Sequence, residues 1–214
     1  MFNVCYRCGE YRADKEIDPS GPYAICPVCG YRHAFRQLPL LIVGGASGAG
    51  KSTVLQALTG RVAEAVLLDS DILWRPEFDQ PEEGYRRYFE TWLRMAKNLC
   101  QSGRPVVLFG AGLGVPGNIE PRVERRYFSQ VRYLALTASD EAITARLQAR
   151  PQWRKSADPA FLAAQLDFNR WFVTEAIRGE PPVELLDTTG QPVSETAGQV
   201  AAWIRTHSVG HNAR

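Results

Sequence analysis

The chain has 214 residues, of which 45% are hydrophobic and 22% are charged, and its formal net charge is +2. This length accommodates one α/β domain and a small appendage, and so small a net charge gives no general attraction to nucleic acid or membranes. No apolar run is long enough to cross a membrane, and the N-terminus lacks the apolar segment of a signal peptide. We therefore expect a cytoplasmic protein.

Two similar C-x-x-C-G stretches mark residues 1–36 as a separate unit. Cys5 and Cys8 form the first pair, and Cys26 and Cys29 form the second. The glycine after each pair allows the tight turn that directs two thiolates at one ion. Four thiolates select zinc, and metal ligation stabilises a segment too short to build its own core. The pattern resembles a zinc ribbon; the alternative, two disulfides, belongs to secreted proteins.

A glycine-rich turn between an apolar strand and a helix is the most specific motif of the chain. Residues 40–43 indicate a buried parallel strand, and residues 45–52 fit the pattern G-x-x-x-x-G-K-[ST]. Small residues let successive backbone N–H groups point at phosphate oxygens, beside the positive end of a helix. Lys51 can reach the β- and γ-phosphates of ATP, and Ser52 can ligate Mg2+. The predicted nucleotide-binding residues of this turn are Gly45, Ala46, Ser47, Gly48, Ala49, Gly50, Lys51, Ser52 and Thr53.

Two carboxylates, Asp69 and Asp71, follow the next predicted strand, over residues 65–68. Ligands of open α/β sheets bind at the carboxyl ends of the strands, and the strand period of two would place both side chains on one face. One carboxylate could hold Mg2+ while the other accepts a proton from a substrate hydroxyl. We assign Asp69 to the Mg2+ side and Asp71 to the acceptor; a pair that only caps a turn is the alternative.

The middle of the chain alternates between helical and strand patterns. An aromatic stripe over residues 81–102 predicts a helix whose buried face is core, while Arg86 and Arg87 lie off the stripe and could meet an anionic substrate or be solvated. A third strand over 105–109 runs into a small-residue turn and ends without the usual Walker B acid. Residues 119–129 predict another helix.

Basic residues follow a fourth predicted strand, at 131–136. Arg146 and Arg150 fall at i and i+4, on one helical face. Arginines here could cover the triphosphate and neutralise charge on the transferred phosphoryl group; a solvated basic run is the alternative. A fifth strand is predicted over 183–186, and a last helix over 193–206.

From residue 40 onward, these motifs resemble the small P-loop kinases, above all the shikimate and gluconate kinase group, and also chloramphenicol phosphotransferase. The resemblance implies an α/β three-layer fold in residues 37–214, with a five-stranded parallel sheet of order 2-3-1-4-5. It also implies that Arg146 and Arg150 contact ATP. Three residues of a late turn would lie beside the adenine: Asp187, Thr188 and Thr189.

The expected activity is transfer of the γ-phosphoryl group of ATP to a hydroxyl of a small molecule. The predicted catalytic residues are Lys51, Asp69, Asp71, Arg146 and Arg150. A nucleoside or nucleotide kinase is one alternative, and a nucleic-acid-associated ATPase or end kinase is another. The last alternative rests on aromatic and basic residues that alternate in the ribbon, namely Tyr6, Arg7, Tyr11, Arg12, Tyr31, Arg32 and Phe35. Because ribbons also use such residues for packing, we expect a small-molecule acceptor, no membrane partner, and ATP, Mg2+ and Zn2+ as bound groups.

Overall fold

The computed structural model describes residues 3–208, so the outer ends of the two predicted domains lie outside the described residues. It contains a three-stranded antiparallel sheet near the N-terminus and a five-stranded parallel sheet. No helix in the described residues is long and apolar enough to cross a membrane. The strands of the small sheet are β1 (Glu16–Asp18), β2 (Tyr23–Ile25) and β3 (Arg32–Ala34).

The parallel sheet has the order β5-β6-β4-β7-β8. Its strands are β4 (Leu40–Gly44), β5 (Val66–Asp69), β6 (Val106–Phe109), β7 (Val131–Thr137) and β8 (Val183–Asp187). Numbered along the chain within this sheet, the order is 2-3-1-4-5, as the resemblance implied. The central strand β4 is buried along its whole length, which explains why its sequence is uninterruptedly apolar.

Helices cover both faces of the parallel sheet. They are α1 (Lys51–Leu58), α2 (Arg86–Cys100), α3 (Pro116–Ile119), α4 (Asp140–Gln148), α5 (Pro159–Thr174) and α6 (Val193–Ser208). Successive residues of β4 point to opposite faces: Ile42 belongs to a core with Trp92 of α2, and Val43 to a core with Leu58 of α1. Each large apolar side chain buried in these cores contributes roughly 1.5–3 kcal/mol to folding.

Two predicted helices differ from the observed ones. The helix predicted over 81–102 begins only at Arg86, because Gly84 and Tyr85 have positive φ angles of 58° and 55°. The helix predicted over 119–129 is wrong: α3 ends at Ile119, and Val123–Tyr127 form a 3-10 helix. The three-residue period of that helix turns the buried side chains of Glu124 and Tyr127 to one side.

The buried side chains of Glu124 and Tyr127 lie where helix α2 meets the N-terminal unit. The Lys97 ammonium of α2 is fully buried, donates to the side-chain oxygen of Asn3 and lies 3.3 Å from a Glu124 oxygen. Arg94 binds the other Glu124 oxygen at 2.8 Å, and the Lys97 nitrogen lies 4.1 Å from the centre of the Tyr127 ring. Burial lowers the pKa of Lys97 to about 8, although Glu124 opposes the shift. Lys97, which is paired with Glu124 inside the protein, therefore links α2 to the N-terminal unit through its hydrogen bond to Asn3.

We predict that Glu124→Leu lowers the free energy of unfolding by about 3–5 kcal/mol, because it leaves the buried Lys97 ammonium without its carboxylate. The double variant Lys97→Met/Glu124→Leu should recover most of that loss. Urea denaturation measures the free energy of unfolding of the single and the double variant. Glu64→Gln is the control, since the Glu64–Arg205 pair at 2.7 Å lies at the surface and should contribute less than about 1 kcal/mol. Equal losses for the single and double variants would contradict the ion-pair interpretation.

Candidate functional site

The glycine-rich turn between β4 and α1 is pressed against the carboxyl end of β7. Gly45 has a φ of +125°, and a Cβ at this residue would lie 2.3 Å from the carbonyl oxygen of Leu136, so only glycine fits. Gly50, with a φ of +103°, precedes the first residue of α1. The turn thus takes the strand–loop–helix form in which backbone amides and a helix N-terminus converge on an anion.

Lys51 bends back over this turn. Its Nζ donates to the carbonyl oxygens of Gly45 at 2.7 Å and Ala46 at 2.9 Å. Burial lowers the pKa of Lys51 to about 8; Asp71 and Asp69 oppose this shift. The turn therefore holds a partly desolvated ammonium that a bound phosphate would stabilise.

The two predicted acidic residues come together through a turn rather than through strand alternation. Asp69 is the last residue of β5, and its Oδ1 accepts a hydrogen bond of 2.9 Å from the backbone N–H of Asp71, which lies in the 3-10 helix Ser70–Leu73. The expectation from the strand period is therefore wrong, because the strand ends before Asp71. Desolvation and the charge of Asp69 raise the pKa of Asp71, whereas Lys51 lowers it. Asp71 acts on the Lys51 ammonium more strongly than Asp69 does.

A cavity of about 740 Å³ opens beside the glycine-rich turn. Asp71 lines it, as do small residues that follow β6, Ala111 and Gly112. Its other walls are largely aromatic and come from the β5–α2 connection, α2 and α5. A carboxylate with a raised pKa therefore faces a space large enough for a small-molecule ligand.

Gln165 of α5 is a site residue that the sequence reasoning missed. Its side-chain oxygen accepts a hydrogen bond of 2.8 Å from the backbone N–H of Ser47, and both residues line the large cavity. Ser47 is one of the residues predicted to cradle phosphate. Gln165 thus accepts a hydrogen bond from a backbone N–H of the phosphate-binding turn, from the side of the cavity. No sequence motif predicts this contact, because the two residues are 118 positions apart.

A second cavity, of about 280 Å³, lies on the other side of the turn, where Arg146 and Thr188 line it with Gly48 and Thr53. Arg146 donates to the carbonyl oxygen of Gly48 at 3.2 Å and to the hydroxyl and carbonyl oxygens of Thr188 at 2.9 and 2.8 Å. The Thr188 hydroxyl in turn donates to the carbonyl oxygen of Ala49 at 3.1 Å. Arg146 therefore connects the turn of residues 187–189 to the glycine-rich turn through hydrogen bonds to both.

The other two residues of the late turn bind each other. The Asp187 carboxylate accepts hydrogen bonds from the hydroxyl of Thr189 at 2.6 Å and from its backbone N–H at 2.8 Å, and these bonds lower the pKa of Asp187. The Thr189 hydroxyl accepts from the backbone N–H of Ser139 at 2.7 Å. These contacts shape the turn, whereas Thr188 is the residue that lines the cavity.

Arg150 has a different position from Arg146. It lines the smaller cavity, and its pKa is lowered by burial and by Arg154 but raised by Asp71. Its charge therefore acts both on Lys51 of the glycine-rich turn and on Asp71.

Arg86 and Arg87 do not line either cavity. Both are exposed and lie within 3.3–3.6 Å of Glu83, and Arg86 also lies 3.4 Å from Glu90. The alternative of a solvated face is therefore the one that the structure supports.

The residues predicted to hold Mg2+ fit that ion chemically. Ser52, in the first turn of α1, offers a hydroxyl, and Asp69 offers a carboxylate at the end of β5. Hard oxygen ligands are those that Mg2+ prefers, and it commonly keeps several waters.

The four cysteines of the N-terminal unit form a compact sulfur cluster. The ligand atoms of Cys5, Cys8, Cys26 and Cys29 all lie within 4.8 Å of one another. The Cys5–Cys29 and Cys8–Cys26 sulfur distances are 3.6 and 3.8 Å. A tetrahedron with zinc–sulfur bonds of about 2.3 Å has edges of about 3.8 Å, so the residues fit a Zn2+ ion.

The electrostatics of the cluster also favour a cation. Burial raises the pKa of Cys5, but backbone N–H groups outweigh it and lower this pKa to about 5. The pKa of Cys8 is raised to about 12, because burial and the neighbouring sulfurs outweigh the backbone N–H of Glu10. Thiolates packed this closely repel one another, and a divalent ion removes the repulsion.

Most of the basic residues proposed for nucleic-acid contact are engaged within the ribbon. Arg12 binds Asp14 at 2.6 Å and Arg32 binds Asp18 at 2.6 Å. Phe35 is buried against Tyr127. Exposed aromatic rings remain on this unit, namely Tyr6, Tyr11 and Tyr31.

We predict that the purified protein carries about one zinc ion per chain and that Cys26→Ser loses it, together with protection of the N-terminal unit from proteolysis. Metal analysis and limited proteolysis measure the two effects. Cys100→Ala is the control, because Cys100 is buried in the core of the parallel sheet and should keep the zinc. Metal-free protein with a protease-resistant N-terminal unit would contradict the assignment.

Similar folds occur among solved structures. A sugar kinase from a Janibacter species superposes with a TM-score of 0.54 at 18% identity, over 79% of this chain and 95% of that one. A gluconokinase from Sinorhizobium meliloti has a TM-score of 0.50 at 21% identity, over 81% of this chain and 100% of that one. A shikimate kinase from Acinetobacter baumannii has a TM-score of 0.50 at 19% identity, over 81% of this chain and 96% of that one. At these identities the likeness establishes the fold.

Comparison by sequence identifies the family. The chain matches no curated protein. The model of the AAA_33 family, described as an AAA domain, matches residues 40–173, which include the glycine-rich turn, both acidic residues and the two arginines. Because this match spans more than half of the chain, the protein belongs to the AAA_33 family of AAA domains, and its fold is that of the P-loop kinases.

Proposed function

We propose that the protein is an ATP-dependent phosphotransferase that moves the γ-phosphoryl group of ATP to a hydroxyl of a small molecule. One observation carries the proposal. Asp71 lines the large cavity together with Ser47 of the phosphate-binding turn, and its charge raises the pKa of Lys51 in that turn. A nucleotide cradle and a carboxylate suited to a hydroxyl therefore share one site.

The nucleotide would lie along the glycine-rich turn, with its phosphates on the backbone N–H groups and the N-terminus of α1. Its adenosine end fits the smaller cavity, where Arg146 and Thr188 line the wall. Ser52 and Asp69 would hold Mg2+, which neutralises charge on the phosphate oxygens. Lys51, released from its loop carbonyls, would bind the β- and γ-phosphates.

In the transfer step, the acceptor oxygen forms a bond to the γ-phosphorus while the bond between that phosphorus and the β–γ bridging oxygen breaks, and ADP leaves. The acceptor proton passes to Asp71, whose raised pKa suits it to accept a proton. Lys51 and Arg150 stabilise charge on the transferring group. Because phosphoryl transfer needs little base strength, Asp71 also serves by orienting the hydroxyl.

The solved kinases with this fold support the proposal, since their names record transfer to gluconate, shikimate or a sugar. A nucleoside or nucleotide kinase would use the same residues with a different acceptor. A nucleic-acid end kinase would need the ribbon as a binding surface, and two of the three basic residues proposed for it already bind carboxylates, Arg12 and Arg32.

We predict that Asp71→Asn retains ATP affinity and loses phosphoryl transfer by roughly a hundredfold or more, on the scale of a lost general base. The assay follows ADP release and phosphorylated product with Mg2+ and a panel of hydroxyl compounds, with and without a short oligonucleotide. The matched control is Asp79→Asn, an exposed carboxylate on the same connection that lines neither cavity. Transfer by Asp71→Asn at the wild-type rate would show that Asp71 is not the base.

We predict that ATP affinity falls as the pH rises above about 8. The free Lys51 ammonium, whose pKa is lowered to about 8, loses its proton there, so binding must also take up a proton. The dissociation constant should then rise by up to tenfold per pH unit until the pKa of the bound form is reached. Calorimetry between pH 7 and 9.5 measures it. Lys51→Met should bind weakly and without this pH dependence; a wild-type affinity that does not vary with pH would contradict the prediction.

A further inference from the structure

We infer that the large cavity binds an uncharged alcohol that carries a flat ring, rather than a sugar acid. The inference rests on the proposed function only in naming this ligand as the phosphoryl acceptor.

The walls offer aromatic surface to a ligand. The Trp74 ring lies 5.6 Å from that of Tyr85 and 5.5 Å from that of Tyr88, measured between centroids. Trp74 is 52% exposed and Phe161, on α5, is 37% exposed, although both are large hydrophobic residues beside a cavity. Exposed aromatic faces in a cleft stack on flat rings and cover apolar surface.

The walls offer no cation to a carboxylate. Among the described residues that line this cavity, none is a lysine or arginine, and the one carboxylate is Asp71. An anionic acceptor would lose its hydration, gain no fixed positive partner there and be repelled by Asp71.

Three cations outside the lining, Lys51, Arg150 and Arg154, lower the pKa of Asp71. Arg154 is exposed in the 3-10 helix Gln152–Arg154, where its guanidinium lies 5.3 Å from the centre of the Trp153 ring, and it lines neither cavity. The other two belong to the nucleotide side of the site. Lys51 belongs to the phosphate-binding turn and donates to its carbonyls. Arg150 lines the nucleotide cavity. Under the proposed function, Lys51 and Arg150 would both bind the triphosphate, whose negative charge exceeds what either can neutralise alone.

The volume agrees with a ring-bearing ligand. The cavity measures about 740 Å³, within the range of about 300–1,000 Å³ that suits drug-sized ligands. Two polar side chains of the lining suit the hydroxyl end of a ligand: Asp71 would accept a hydrogen bond from it, and Gln165, bound to the Ser47 N–H of the phosphate-binding turn, carries an amide. The hydroxyl end of the acceptor would lie there, and its ring would lie among Trp74, Tyr85 and Phe161.

Binding without ATP tests the inference. The probes for titration calorimetry on the full-length, zinc-loaded protein are thymidine and 1-phenyl-1,2-ethanediol, against gluconate, shikimate and thymidine monophosphate. At least one uncharged probe should bind tenfold or more tightly than every anionic probe. Equal or tighter binding of an anionic probe, or no binding of either uncharged probe at millimolar concentration, would overturn the inference.

Variants locate the binding. Trp74→Ala and Phe161→Ala should each weaken the uncharged probe by tenfold or more and leave ATP affinity unchanged. The control, Trp203→Ala, removes a tryptophan whose Nε1 binds Glu184 on another surface and should not change probe binding. Unchanged probe affinity in both cavity variants would also overturn the inference.

Transfer assays with the same compounds separate the two proposals. Binding of an uncharged probe without phosphoryl transfer to any of the compounds would count against the proposed function and leave the inference standing. Transfer to gluconate or shikimate in preference to the uncharged probes would support a kinase and contradict the inference.

Discussion

The close approach of Gly45 to the Leu136 carbonyl positions the glycine-rich turn and, through it, the groups around Lys51. It seats the glycine-rich turn on the end of β7 at a residue where no side chain fits, and α1 then begins directly with Lys51. Asp71 and Arg150 are arranged around the Lys51 ammonium, and their charges shift its pKa in opposite directions. A phosphate group placed on the turn would therefore meet an ammonium whose charged form Asp71 also stabilises.

Helix α2 joins the two parts of the molecule. At its N-terminal end, Tyr85 and Tyr88 belong to the aromatic cluster of the large cavity. Near its C-terminal end, the buried Lys97 pairs with Glu124 and donates a hydrogen bond to Asn3 of the N-terminal unit. The N-terminal unit thus contacts the same helix that lines the large cavity.

Much of this could be predicted from the sequence, because the P-loop motif is local and carries the fold with it. The pairing of Asp69 and Asp71 was also foreseen, but its cause was not, since a 3-10 turn rather than a strand brings them together. The helix predicted over 119–129 is wrong because long-range contacts hold its side chains: Glu124 pairs with Lys97 of α2, and the Tyr127 hydroxyl donates to the carbonyl oxygen of Ala13. Gln165 and the aromatic residues that line the large cavity were not predicted as site residues, because only tertiary packing brings them there.

If the protein is a phosphotransferase as proposed, the glycine-rich turn aims the γ-phosphate of ATP at the end of the large cavity where Asp71 lies. A crystal structure with Mg2+ and a non-hydrolysable ATP analogue tests it most directly. We expect the γ-phosphate between Lys51 and Asp71, with Ser47 N–H released from Gln165 and turned to the phosphate. A triphosphate whose γ-phosphate points away from Asp71, or one bound outside the turn, would contradict the account.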